Sequence, residues 1–180
     1  TQTIARQLLS DGCYLSGVPG FYRKDGQWSF VCDSRGILIP VRDSEGHIQG
    51  MQIRRDNVSR RKFRWVSSSG RPDGCKAEGW VHIAGKTRTT VLLTEGPMKA
   101  DVVHFLSGQT VLAVAGVNTL TQLELILPQL RGQGVERIMT AFDMDFMENP
   151  HVQNGYKALV SLLSEAGFTY GTYLWDPKYK

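Results

Sequence analysis

Glu95 directly follows the apolar run Val91-Leu92-Leu93-Thr94, and Asp143 and Asp145 follow Ile138-Met139-Thr140-Ala141-Phe142. Short apolar runs of this kind read as buried strands, which predicts all three acids at strand ends. In Asp-x-Asp the side chains are two positions apart and point to the same side of an extended segment. With Glu95 across from them they make an oxygen cluster suited to Mg²⁺ (or Mn²⁺), which takes few protein carboxylates together with waters and substrate phosphates. Neither segment offers the nitrogen and sulfur donors that zinc or copper would want. Gly96 lets the backbone approach closely, and Pro97 suits the first turn of a helix whose positive end faces the same edge. Each acid also has a plainer reading: Glu95 as an acid complementing a helix start, Asp-x-Asp as a solvated strand end. Lys99, one turn into that helix, is either a phosphate contact or a surface lysine. Asp101 reads as a helix-surface residue, and Asn149 to Asn154 as the capped start of a later helix.

The elements that must position these residues alternate. Strand 89–94, helix 97–106 and strand 111–115 are followed by an amphipathic helix marked by Leu120, Leu123, Ile126, Leu127 and Leu130, with Asn118 or Thr119 as its cap. Strand 137–142, a helix carrying Leu159, Leu162, Leu163 and Ala166, and strand 168–174 complete the series. This order predicts an α/β fold with a mostly parallel sheet, helices on both faces and a ligand site outside the carboxyl ends of the strands. The chain before it differs. Ile4, Leu8 and Leu9 suggest a short opening helix, and 12–26 reads as loop. Strands are predicted at 28–31, 37–41, 47–53, 63–66 and 80–83, with Ser44-Glu45-Gly46 as a hairpin turn and 67–76 as the most loop-like connection. Two parts follow: a β-rich basic subdomain over 1–86, and the α/β domain over 87–180.

With 180 residues, 41% of them apolar, the chain can bury a real core. It opens on Thr1 rather than Met, as a piece of a longer protein would. No run has the length of a membrane span, and no signal-peptide pattern opens the chain. Cys13, Cys32 and Cys75 are odd in number and widely spaced, which argues against a disulfide framework or zinc ribbon and for a reducing cytoplasm. The four histidines are scattered without ligand spacing, and no phosphate-cradling glycine loop is present. The net charge is +4, concentrated in Arg42, Arg54, Arg55, Arg60, Arg61, Lys62 and Arg64. That stripe suits a polyanion, nucleic acid above all, although a solvated hairpin face would look the same. Trp28, Trp65 and Trp80 alternate with basic residues and are either base-stacking or core positions.

The paired acidic motifs on alternating strands and helices resemble the toprim fold of bacterial primases, topoisomerases and some nucleases, over about 88–176. Upstream, Pro40-Val41-Arg42-Asp43, the turn Gly46, and the strand carrying Gly50 and Arg54 resemble the segment that precedes the toprim domain of bacterial replicative primases. Phe63-Arg64-Trp65-Val66-Ser67-Ser68 is similar to the short piece that comes next there. The whole looks most like the primase-like toprim proteins of phages, plasmids and integrative elements. The resemblance implies a primase-like catalytic core that performs metal-dependent nucleotidyl transfer, with Mg²⁺ or Mn²⁺ on Glu95, Asp143 and Asp145. It implies basic residues tracking the phosphates of a single-stranded DNA template and of nucleoside triphosphates, and a replicative helicase partner reached through regions outside this sequence. A metal-dependent toprim nuclease and a silent nucleic-acid-binding module are the alternatives. Two positions depart from the primase pattern. Lys99 stands where primases usually carry Asp, in a Gly-Pro-Met-Lys-Ala run similar to the Ser-Pro-x-Lys-Ala of type IA topoisomerases. Phe146 stands where Arg is common.

Overall fold

The structure, a computed structural model, describes residues 1–31, 35–57, 61–116, 120–144, 149–176 and 178. The chain divides into two compact units, one of Thr1–Val41 with Ile48–Glu78 and one of Arg42–His47 with Gly79–Lys180. Among the described residues no helix is long and apolar enough to cross a membrane, and Cys13 and Cys75 are free thiols.

The first unit opens on α1 (Gln2–Ser10), followed by the antiparallel pair β1 (Phe21–Lys24) and β2 (Gln27–Phe30). Phe21 faces Phe30 across the pair, ring centroids 4.9 Å apart, and with Ala5, Leu15 and Val66 they form the buried core. The presence of β1 corrects the reading of 12–26 as loop. Only Phe21 of that strand is fully buried, so its apolar pattern is faint. Asp25 and Gly26 at positive φ (51° and 75°) instead make the tight Asp-Gly turn that such hairpins prefer. β3 (Gly36–Arg42), β4 (Ile48–Arg55) and β5 (Phe63–Trp65) form a three-stranded sheet in that order. Trp28 packs at the edge of the core with the Arg23 guanidinium 4.6 Å above its ring.

The predicted loop 67–76 holds a side chain with several hydrogen bonds. Ser68 is wholly buried. Its hydroxyl donates to the Phe21 carbonyl at 2.7 Å and accepts the Gly20 and Cys75 N–H groups at 3.2 and 2.9 Å. A serine can do this because it carries one donor and two acceptor positions. Ser68→Ala strands the buried Gly20 N–H and the partly buried Cys75 N–H, and should cost about 2 kcal/mol in urea unfolding, since a buried donor left unpaired loses its full desolvation energy. An unchanged unfolding midpoint would show that the network is dispensable.

The second unit carries β6 (His82–Ala84), β7 (Thr90–Glu95), α2 (Pro97–Ser107), β8 (Val111–Val114), α3 (Thr121–Gly132), β9 (Arg137–Thr140), α4 (Pro150–Glu165) and β10 (Thr169–Thr172). The strands lie in the order β10-β9-β7-β8-β6, with β7, β8, β9 and β10 parallel and β6 antiparallel to β8. Alternation along each strand sorts the apolar residues to two faces. Val91, Leu93, Leu112 and Val114 pack with Leu123, Leu127 and Leu130 of α3 and Leu159 and Leu163 of α4. Leu92, Val111 and Ala113 pack with Ala100 and Val103 of α2. The α/β class with helices on both faces therefore stands. The strand predicted at 80–83 is β6, and it pairs at the edge of this sheet rather than with the β-rich half. Its partner β8 lies some thirty residues onward, a pairing that no local pattern announces. Asn149 caps α4 as expected, its side chain accepting the His151 N–H at 3.0 Å. The expected caps of α3, Asn118 and Thr119, lie outside the described residues.

Candidate functional site

From β7 the chain passes through α2 to β8 on one side, and α3 then carries it back across to β9 on the other. The reversal puts the carboxyl ends of β7 and β9 side by side, the place where open α/β sheets form their crevices. Glu95 is the last residue of β7, and Asp143 lies three residues beyond β9. Two hydrogen bonds join the strand ends: Ala141 N–H to the Leu93 carbonyl at 2.8 Å, and the Thr94 hydroxyl to the Ala141 carbonyl at 2.8 Å. Gly96 makes the turn out of β7 at φ 81°, ψ 125°, a conformation that a side chain would disfavour, and Pro97 starts α2.

Lys99 reaches back from the first turn of α2. Its Nζ lies 2.7 Å from both Asp143 carboxylate oxygens and 3.5 Å from Glu95 Oε1. Beside the trio opens a cavity of about 650 Å³, walled by Leu92, Val102, Val103, Val111 and Trp175. Burial pushes the Glu95 carboxyl above its ordinary value of 4.5; the Lys99 ammonium opposes that shift and the Asp143 charge adds to it. A carboxyl whose pKa is raised by folding favours the folded state while it is protonated, and this contribution is lost as pH rises through the folded pKa. Glu95→Gln should therefore raise the melting temperature at neutral pH, because the amide removes a charge that burial disfavours. A lower melting temperature for that variant would contradict the sign.

Glu95 and Asp143 come together as expected; Asp145 and Phe146 lie outside the described residues. Among the described residues no three His, Cys, Asp or Glu side chains gather as a metal cluster. The two carboxylates offer oxygen only, and they hold a primary ammonium where a cation would neutralise them. That donor chemistry fits Mg²⁺ or Mn²⁺.

The basic residues separate. Arg54, Arg55 and Lys62 line a cavity of about 550 Å³ in the first unit with Asp56 and Asn57. Arg55 also closes the β4–β5 connection, donating from Nε and Nη2 to the Arg61 carbonyl at 3.1 and 2.6 Å. Arg61 and Arg64 are exposed, and Arg64 lines a separate cavity of about 470 Å³ in the same unit. Arg60 lies outside the described residues. Arg42 belongs to the second unit, where its Nη1 is 3.2 and 3.4 Å from the Asp101 oxygens.

Asp101 is therefore no plain surface residue. It also meets Nε2 of His82 at 3.0 Å, and His82 is wholly buried. His82 Nδ1 accepts the Arg42 backbone N–H at 3.0 Å, which assigns the ring proton to Nε2 and makes it the donor to Asp101. Burial holds this imidazole below its ordinary pKa of 6.5, against the pull of Asp101, and the Arg42 charge acts in the same direction as burial. A signal for this was legible: Asp101 falls four residues after Pro97, which is buried, so it lies on that side of the helix.

No protein-family profile and no curated protein matches the sequence. Solved structures do. The Aquifex aeolicus primase (zinc-binding and RNA polymerase domains) matches at TM-score 0.66 and 19% identity, over 98% of this chain and 44% of that one. The RNA polymerase domain of Mycobacterium tuberculosis primase DnaG, in complex with double-stranded DNA, matches at 0.62 and 17%, over 97% and 58%. A DnaG primase catalytic domain bound to single-stranded DNA matches at 0.58 and 13%, over 98% and 54%. The chain spans about half the length of these structures and nearly all of it aligns with them. Across both of its units, by fold, it is a primase-core-like protein.

Proposed function

We propose that this chain is the catalytic core of a primer-synthesising nucleotidyltransferase of the toprim class, acting on single-stranded DNA and nucleoside triphosphates. The observation that carries the reading is the meeting of Glu95 and Asp143 at the reversal point of a sheet with the primase-core fold. In the reaction a 3′-hydroxyl attacks the α-phosphate of the incoming nucleotide, a P–O bond forms, and pyrophosphate leaves. Mg²⁺ or Mn²⁺ held by Glu95, Asp143 and Asp145 would supply charge neutralisation to the triphosphate. The chain's own part is positioning. The paired ends of β7 and β9 fix the two carboxylates, and the apolar wall beside them limits water. Arg54, Arg55, Arg60, Arg61, Lys62 and Arg64 bind phosphates of template and nucleotide, and Arg42 adds its charge. A replicative helicase would be engaged by regions outside this sequence.

The test is a primer-synthesis assay with labelled nucleoside triphosphates, single-stranded template and Mg²⁺ or Mn²⁺. Template-dependent oligonucleotides support the reading. Metal-dependent nicking of supercoiled plasmid without synthesis would replace it with a toprim nuclease. Salt-sensitive DNA binding with neither activity would leave a binding module.

A further inference from the structure

We propose that Lys99 is a resident cation of the acidic edge, competing with the divalent metal for Asp143 and setting the threshold at which metal binds. The inference rests on the metal-site reading above and concerns what the site does before metal arrives.

The geometry is specific. Glu95 ends β7 before α2 begins, so its contact with Lys99 is not one that helix geometry imposes. Here the contact to Glu95 is the long one, 3.5 Å, while both oxygens of Asp143, 44 residues away, sit at 2.7 Å. Those are the distances of charge-assisted hydrogen bonds made to both lone-pair faces of one carboxylate. The ammonium thus takes up the oxygens that a metal would need. Lys99 also lines the apolar cavity beside the site, so its stem can swing aside into that space without moving α2. Lys is suited to this role because its charge sits on a flexible four-carbon stem.

Two consequences follow from charge alone. Without metal, Lys99 offsets the repulsion between Glu95 and Asp143. With metal, one positive charge must leave a position that another takes, and the cost is subtracted from metal affinity. Removing the ammonium while keeping the stem should therefore tighten metal binding about tenfold, the effect of roughly 1.4 kcal/mol of lost competition.

The experiment is a Mn²⁺ titration of the full chain, followed by the paramagnetic resonance signal of free Mn²⁺, for wild type, Lys99→Met and Lys99→Gln. The expected result is tighter Mn²⁺ binding by both variants, about tenfold. Melting curves give a second readout: both variants should melt below wild type without metal and gain more than wild type from added Mn²⁺. Equal or weaker affinity in the variants overturns the role of Lys99 and leaves the metal reading standing. If neither wild type nor the variants bind Mn²⁺, the metal site falls and the proposal with it. Asp143→Asn in the Lys99→Met background should abolish the gain; retained tight binding there overturns the proposal by placing the ion elsewhere.

Discussion

Glu95→Gln and Asp143→Asn should each lower primer synthesis by at least about 100-fold, the scale seen when one preorganised charge-stabilising group is removed from an active site. Both substitutions keep the side-chain shape, remove the charge and exchange one acceptor oxygen for an NH2 donor. The loss should therefore fall on turnover, with DNA affinity changing little, because the phosphate-binding cations proposed in the first unit are untouched. Folding is a useful control. Glu95→Gln is expected to stabilise the metal-free protein, so an inactive variant that melts higher than wild type cannot owe its inactivity to unfolding. Asp145→Asn belongs in the same series. Undiminished synthesis by Asp143→Asn would remove this residue from the reaction and with it the reading of the sheet edge.

Asp101→Leu should destabilise the protein by about 2–3 kcal/mol, although Asp101 is itself 40% exposed. The cost comes from His82, which is 0% exposed and would keep a buried Nε2–H without an acceptor. The ion pair between Arg42 and Asp101 contributes much less, because both side chains are over a third exposed and solvent screens them. Arg42→Ala should accordingly cost under about 1 kcal/mol. Asp101→Asn, whose amide oxygen still accepts from Nε2, should fall between the two. A pH profile separates this network from simple packing. The folded His82 pKa lies below the unfolded 6.5, so the unfolded state binds the extra proton first on acidification. Its contribution is present above pH 6.5 and is lost as pH falls through the folded pKa. Wild-type stability should decline on that side, and His82→Leu should remove that part of the slope. Equal costs for Asp101→Leu and Arg42→Ala would sink the account.

The second unit was legible because β7 and β8 are short apolar runs and α3 and α4 repeat their leucines on one side. Chain order then sets the sheet topology through crossover rules, and topology puts Glu95 beside Asp143. What stayed hidden depends on partners outside the element itself. β1 is a strand because Phe30 lies across from Phe21, and its own four residues say little. β6 joins a sheet whose other strands all follow it. Ser68 sits in a stretch rich in Ser, Gly and Pro, where composition says loop and cannot say that one hydroxyl ties three backbone segments. Lys99 was read as either a phosphate contact or a surface lysine, and only the fold shows that its ammonium lies closer to Asp143 than to Glu95. Asp101 was misread because a carboxylate on a helix is usually solvated, and the buried imidazole it serves lies 19 residues earlier.

The short segment Arg42–His47 belongs to the second unit although the chain on both sides of it belongs to the first. It brings the N–H that seals His82 Nδ1, and the Ser44 hydroxyl to which Gln129 and Gln133 of the α3 region donate. A chain begun at Gly79 would contain every strand of the larger sheet and still leave a buried ring nitrogen facing no donor. The α/β unit is therefore not contiguous in sequence: a piece that keeps His82 paired has to carry Arg42–His47 together with Gly79–Lys180.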